Sequence, residues 1–310
     1  MIETALVFVR LAQYAGVMTL LGSSLFFLYA LPQAGPVSAA ALGWPRRLLL
    51  VGAGLTCIGG LIGLVLQTAT MAGSLTEALK PASLEFMISG TGIGRASVVR
   101  AVAGALALLI LLTLHPGRGL WVMVGVLGAV ACMSLGWMGH GGATEGSGGP
   151  VHLVNNIAHA LAAAVWLGAL AAFLILLWPS GPVAPERSRA LLAALHGFSG
   201  IGTALVATLV VTGLVNSWFL VGVDRLAGLW TTTYGWLLVA KLVVFMLMLV
   251  LAAANRFRLT PALRTALDSD RPPTQALAKL KSSLILEAAG GVGILVLVAW
   301  LGTLAPVSAQ

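Results

Sequence analysis

Charge is what this sequence has least of. Only 8% of its residues are Asp, Glu, Lys or Arg, where a soluble domain carries about 25%. Apolar residues make up 59% of the 310 positions, and the mean hydropathy is +1.02. So little polar surface cannot cover a water-soluble globule of this size. That excludes a soluble enzyme, a nucleic-acid binder and a disordered chain. Cysteine is nearly absent: Cys57 and Cys132 both lie deep in apolar runs, which excludes a secreted disulfide framework. No Gly-rich loop ending in Lys-Ser/Thr occurs, which argues against direct ATP drive. The N-terminus has no basic region before its apolar run, only Glu3, so a retained first helix is expected rather than a cleaved signal.

What remains is hydrocarbon in long stretches. A bilayer core takes about 20 apolar residues per helix. The stretches 4–31, 46–72, 95–115, 118–139, 151–178, 188–222, 233–255 and 280–305 meet that length. Backbone groups in lipid must be paired within the segment, so these are predicted helices rather than strands. The expected fold class is an all-α polytopic membrane protein with eight transmembrane helices in the lipid bilayer. Breaks fall at turn formers: Pro32 with Pro36, His115-Pro116-Gly117, the glycine-rich run 141–150, Pro179 to Pro185, and Pro272-Pro273.

The few cations orient it. The loops joining spans 1–2, 3–4, 5–6 and 7–8 hold Arg46, Arg47, Arg118, Arg187, Arg189, Arg256, Arg258, Arg264, Arg271, Lys279 and Lys281, whereas the opposite side holds Lys80, Arg95 and Arg225. The basic side is predicted cytoplasmic, with the long 256–281 loop on it and both termini outside. Two spacings recur between the halves. Gln13 precedes Gly22 as His159 precedes Gly168, and Gly94 precedes Arg100 as Gly235 precedes Lys241. They predict a four-plus-four internal repeat, with an N-terminal half over 1–139 and a C-terminal half over 140–310. Parallel repeats of this kind commonly place a site at their interface.

Chemistry-bearing residues gather at the outer end of spans 4 and 5. His140 closes span 4, His152 opens span 5, and the glycine-rich segment between them can fold tightly enough to bring the two rings together. His159 follows two turns further down the same helical face, about 10 Å deeper. An ionisable group at that depth is a functional candidate by default. Cys132, Met133 and Met138 on span 4 add sulfur, and Glu145 is the one carboxylate nearby. Imidazole with thiolate or thioether selects copper, as Cu(I) rather than Cu(II), while a hard cation would want more oxygen. The plainer readings are that Met133 and Met138 fill space, that Cys132 is a small buried hydrophobe, and that His140 and His152 sit at the headgroups. Arg10, Arg100 and Lys241 are expected to snorkel to the outer headgroups. Alternatively they neutralise an anionic group, such as a haem propionate. On the basic side His196 and Glu287 lie at similar depth and are expected to pair, as structural glue or as an ion exit step. Asn216 and Gln67 read as packing hydrogen bonds.

The residues His152-Leu-Val-Asn-Asn-Ile-Ala-His159, Trp166-Leu-Gly168, Val211-Thr-Gly213 with Asn216, Thr232-Thr-Tyr-Gly235 leading to Lys241, Asn255-Arg-Phe-Arg with Pro261, and Glu287 ahead of Leu301-Gly-Thr-Leu-Ala-Pro306 carry a resemblance. Over about residues 140–306 the chain resembles the copper resistance protein D (CopD) family of bacterial inner-membrane proteins. The resemblance implies eight helices with periplasmic termini, handling of periplasmic copper, and a separate CopC-like periplasmic copper-binding protein as partner. It also implies a non-enzymatic role in copper homeostasis and resistance, with transport toward the cytoplasm. Gln13 stands where a histidine would be unsurprising, and His196 where an arginine-like residue is expected. A haem b electron carrier and a non-transporting receptor for a periplasmic copper protein are the alternatives. Facing histidine pairs, which two axial imidazoles would need, are not doubled here, and that counts against haem.

Overall fold

Apolar runs of bilayer length become helices because hydrocarbon offers backbone N–H and C=O groups no partner but each other. The computed structural model describes residues 2–32, 38–142, 144, 146–177, 185–269 and 273–309, leaving aside the side chains of His140, Pro185 and Glu186. Eight helices among the described residues are long and apolar enough to span: α1 Ile2–Tyr29, α2 Gly43–Ala72, α3 Gly92–Thr113, α4 Arg118–Trp137, α5 Gly149–Leu177, α6 Arg187–Leu220, α7 Thr233–Asp268 and α8 Thr274–Leu301. Short helices at Pro81–Gly90 and Gly228–Thr231 lead into α3 and α7.

One boundary differs from the sequence reading. The segment after Ala254, expected as a loop, stays helical through a π-turn at Asn255–Leu259 and on to Asp268. The extension Thr260–Asp268 is polar enough to resemble a loop, but it is amphipathic and seats Leu263 fully in the core. Helix α8 likewise begins at Thr274, earlier than its apolar run suggests.

Helix α1 crosses α5 at the centre of the bundle. A Cβ on Gly22 would stand 2.0 Å from the Ala164 carbonyl oxygen, and one on Gly168 would stand 2.5 Å from the Gly22 Cα. Only glycine permits such an approach, the small-residue packing that membrane helices rely on. A π-turn at Thr19–Ser23 falls at this crossing, and the Ser23 hydroxyl donates to the Gly168 carbonyl at 2.8 Å. Around this axis α1 packs on α2 and α8, α3 on α2 and α4, α5 on α6, and α7 on α8. An aromatic cluster closes the basic end, where Phe26 meets Phe173 edge-on at 4.7 Å.

The entries into α3 and α7 share one local geometry. The Thr91 hydroxyl accepts from the Gly94 N–H at 3.0 Å and donates to the Met87 carbonyl at 2.7 Å. The Thr232 hydroxyl accepts from the Gly235 N–H at 3.0 Å and donates to the Gly228 carbonyl at 2.7 Å. In both, the glycine lies so close to the preceding turn that a Cβ would strike a carbonyl oxygen, at 1.9 Å for Gly94 and 2.3 Å for Gly235.

Candidate functional site

Two side chains spaced four apart on α5 interlock with two spaced four apart on α6, as the helical repeat allows. Asn155 donates to the Thr212 carbonyl at 2.9 Å and to the Asn216 side-chain oxygen at 3.0 Å. One turn deeper, His159 Nδ1 lies 2.8 Å from the Thr212 hydroxyl. That hydroxyl has one hydrogen, and it points to the Thr208 carbonyl at 2.6 Å. Thr212 therefore accepts from His159, so Nδ1 carries the proton and Nε2 keeps its lone pair. This is how outer partners prepare a histidine for a metal. Lys241 on α7 is within electrostatic reach of the ring.

His152 sits two turns nearer the start of α5 and is buried. Its Nδ1 lies 2.7 Å from the Thr144 hydroxyl, and its ring stacks on Phe219 at 4.5 Å and 5°. Gly148 makes room for that stack, since a Cβ there would stand 3.0 Å from the Phe219 ring. The rings of His152 and His159 are separated by seven residues on one helix, about 10 Å of rise. At that separation they cannot share one ion. The third member, the His140 side chain, and Glu145 lie outside the described residues. Among the described residues no group of three His, Cys, Asp or Glu side chains is close enough to hold a metal together.

The sulfur donors go elsewhere. Met133 is exposed on the outer surface of α4, while Cys132 and Met138 are buried against Met18. At the centre of that cluster stands Arg100, fully buried where snorkelling was expected. Its Nε donates to the Ser134 hydroxyl and its Nη2 to the Ser134 carbonyl, both at 3.1 Å, and Nη1 donates to Gln13 and, at 3.5 Å, to Met138 Sδ. Gln13 in turn donates to the Gly59 carbonyl at 2.7 Å. Partners on α1 and α4 hold the guanidinium inside, so it has no need to reach the headgroups. Arg10 is also buried rather than snorkelling: its guanidinium lies against Gly302, where a Cβ would stand 2.4 Å from Nη1. Lys241 is half-buried on α7.

At the basic end, Glu287 does not pair with His196 as expected. It is buried and accepts from the Trp166 indole at 2.8 Å and from Asn255 Nδ2 at 2.7 Å. The π-turn that begins at Asn255 coincides with this contact, as such turns often do at functional places. Glu287 and the exposed His196 nevertheless line one cavity of about 580 Å³. Trp166 follows His159 by seven residues, so His152, His159 and Trp166 make a single stripe down α5 that ends at the Glu287 carboxylate. Thr212, Thr144, Asn155 and Trp166 were not singled out as partners in the sequence. The i, i+4 match of Asn155 and His159 with Thr212 and Asn216 was the available signal for the first pair.

Comparison with known proteins gives a consistent result. Residues 1–150 match the family described as Copper resistance protein D-like, N-terminal domain, and residues 192–301 match Copper resistance protein D. A copper resistance protein D of Pseudomonas syringae pv. tomato is 37% identical over 300 residues, covering 96% of each chain. Inner membrane protein YebZ of Escherichia coli (strain K12) is 31% identical over 202 residues, 65% of each chain. No solved structure matches the chain significantly.

Proposed function

The chain belongs to the copper resistance protein D family, and we propose that it is a multi-pass inner-membrane protein of copper resistance that takes up periplasmic copper and moves it across the membrane. The observation that carries the reading is the His159 imidazole, whose Nδ1 proton is committed to Thr212 and whose Nε2 is left as a donor. Copper is captured at the outer end by His152 with His140 and Glu145, then passes to His159. Neutral imidazole donors inside an apolar span suit copper as the singly charged Cu(I), because a doubly charged ion costs more to bury there. Lys241 near the ring keeps a bound cation from settling too firmly, and conduction needs such weak, separated stations.

Below His159 the stripe on α5 reaches Trp166 and Glu287, the one buried carboxylate among the described residues. Glu287 is the inner station of the path. The charge bias of the connecting segments supports periplasmic termini and a cytoplasmic basic end. The matched caps at Thr91 and Thr232 and the Gly22–Gly168 crossing support a four-plus-four duplication about an axis near the membrane normal. A separate periplasmic copper-binding protein of the CopC kind would deliver the metal to the outer end.

The test is His159→Ala in the full chain. Copper bound per purified protein and Cu(I) uptake into proteoliposomes should both fall, with helix content unchanged. Unaltered copper stoichiometry would remove His159 from the path. Binding without uptake in the parent protein would make it a receptor rather than a permease.

A further inference from the structure

The second half leaves open a place that the first half closes. In the first half α2 and α3 meet backbone to backbone: a Cβ on Gly104 would stand 2.6 Å from the Cys57 nitrogen, and one on Gly60 3.0 Å from the Ala101 nitrogen. Helices α6 and α7 have no such contact among the described residues and touch chiefly through the extension Thr260–Asp268. Their most apolar windows are each 11% buried, against 44% for α2 and α3. The cavity of about 580 Å³ lies at the basic end of this split, backed by α5 and α8, and is of a size that holds a ligand.

The charges around it do not neutralise one another. Arg189 and His196 share one face of α6, seven residues apart. Arg256 and Arg264 share one face of the α7 extension, eight apart, and all four side chains line the cavity. Arg256 donates to the Ser199 carbonyl at 3.2 Å and to the Thr203 hydroxyl, which are neutral acceptors. Arg264 has Asp268 at 3.9 Å in an exposed and loose pair. Among the described residues Arg189 has no ion pair. Among the described residues the one carboxylate lining the cavity, Glu287, is buried and already engaged by Trp166 and Asn255. Three guanidinium groups around one mouth repel each other unless an anion stands between them.

We infer that the cleft between α6 and the α7 extension is a binding site for an anionic phospholipid, with its phosphate among Arg189, Arg256 and Arg264 and its acyl chains along the split between α6 and α7. A basic pocket between transmembrane helices at a membrane face suits a phosphodiester headgroup. Leu192, Phe198 and Leu284 on its walls suit a chain rather than a soluble phosphate. The lipid supplies the packing that α6 and α7 do not supply to each other. The inference does not depend on copper passage, nor on which face of the membrane the basic end occupies.

Native mass spectrometry of the full chain, delipidated in neutral detergent and offered an equal mixture of phosphatidylglycerol and phosphatidylcholine, tests it. One phosphatidylglycerol should be retained in preference. The double variant Arg189→Gln with Arg264→Gln should bind it about thirtyfold more weakly. Ala193→Trp, which fills the cleft without changing charge, should displace it as well, and it carries the test alone if the double variant fails to fold. Equal retention of phosphatidylcholine, unchanged binding by these variants, or displacement of the lipid by millimolar inorganic phosphate would each overturn the inference.

Discussion

The two halves of the proposed duplication each hold a polar pair, Gln13 with Arg100 and His159 with Lys241, and the two pairs are bonded in opposite ways. In the first half Gln13 and Arg100 bind each other, and the remaining donors go to Ser134, Met138 and Gly59. Each guanidinium nitrogen has a partner, and the group is buried. His159 and Lys241, which the proposed duplication matches to Gln13 and Arg100, make no hydrogen bond to each other, and His159 engages Thr212 through one nitrogen only. The same contrast appears in packing, since α2 and α3 are closed by glycine contacts while α6 and α7 stand apart. A pair whose groups satisfy each other contributes to stability. A pair that leaves a lone pair unspent is available for a ligand.

The sharpest way to break this contrast is to unpair the first half. Gln13→Leu removes the oxygen partner of Arg100 Nη1 and the side-chain donor to the Gly59 carbonyl, while Ser134 still holds the rest of the guanidinium, and should cost about 2–3 kcal/mol. His159→Leu, at the matching position, strands only the Thr212 hydroxyl oxygen, an acceptor that still donates to Thr208. It should cost under about 1 kcal/mol in stability. Thermal denaturation in one detergent compares them directly. Equal losses would mean that both pairs are structural and that His159 is not held open for a ligand.

The next effect falls on binding rather than on folding. Thr212→Val keeps the shape of the side chain but removes the acceptor that fixes the His159 tautomer. Outer partners of this kind are worth about 10–100-fold in metal affinity, so Cu(I) titration should show a loss in that range while the melting temperature moves little. An unchanged affinity would show that the tautomer is set by something else and would remove the observation on which the functional reading stands.

How much of this was legible beforehand differs between the halves for a physical reason. Hydrophobic length gave the eight spans, though not the end of α7 or the start of α8, because helix is the answer to any apolar run of that length in lipid. The histidine stripe on α5 followed from helical spacing alone. The fate of Arg100 did not, because snorkelling describes an isolated helix facing lipid, and Gln13 on α1 and Ser134 on α4 become its partners only once four helices assemble. The surroundings of Met138 were hidden in the same way: its sulfur is buried where Arg100 reaches it. The segment 256–268 read as a loop because polar residues dominate it, and only the burial of Leu263 shows the face that keeps it helical.

Lys241 offers a smaller effect whose sign is informative. A cation near His159 disfavours a second cation at Nε2, so Lys241→Gln should tighten Cu(I) binding by roughly fivefold, the effect of about 1 kcal/mol. Uptake into proteoliposomes should slow at the same time, because release becomes harder. Weaker copper binding in this variant would reverse the assignment and point to an anionic ligand group beside Lys241.

The smallest effect tests whether the halves are comparable at all. Thr91 and Thr232 cap α3 and α7 with the same pair of hydrogen bonds at the same distances. Replacing either by valine removes the oxygen that accepts from the glycine N–H and leaves a first-turn donor unpaired, at a cost of about 1 kcal/mol. Because the local geometry is alike, the two losses should agree within about 0.5 kcal/mol, and the double variant should show their sum, the caps being independent. Agreement would tie the divergence between the halves to the polar pairs two to three turns further along the same helices, Arg100 on α3 and Lys241 on α7. A loss confined to Thr91 would mean that the open packing around α7 already lets water satisfy its first turn, and the matched geometry would then carry unequal weight in the two halves.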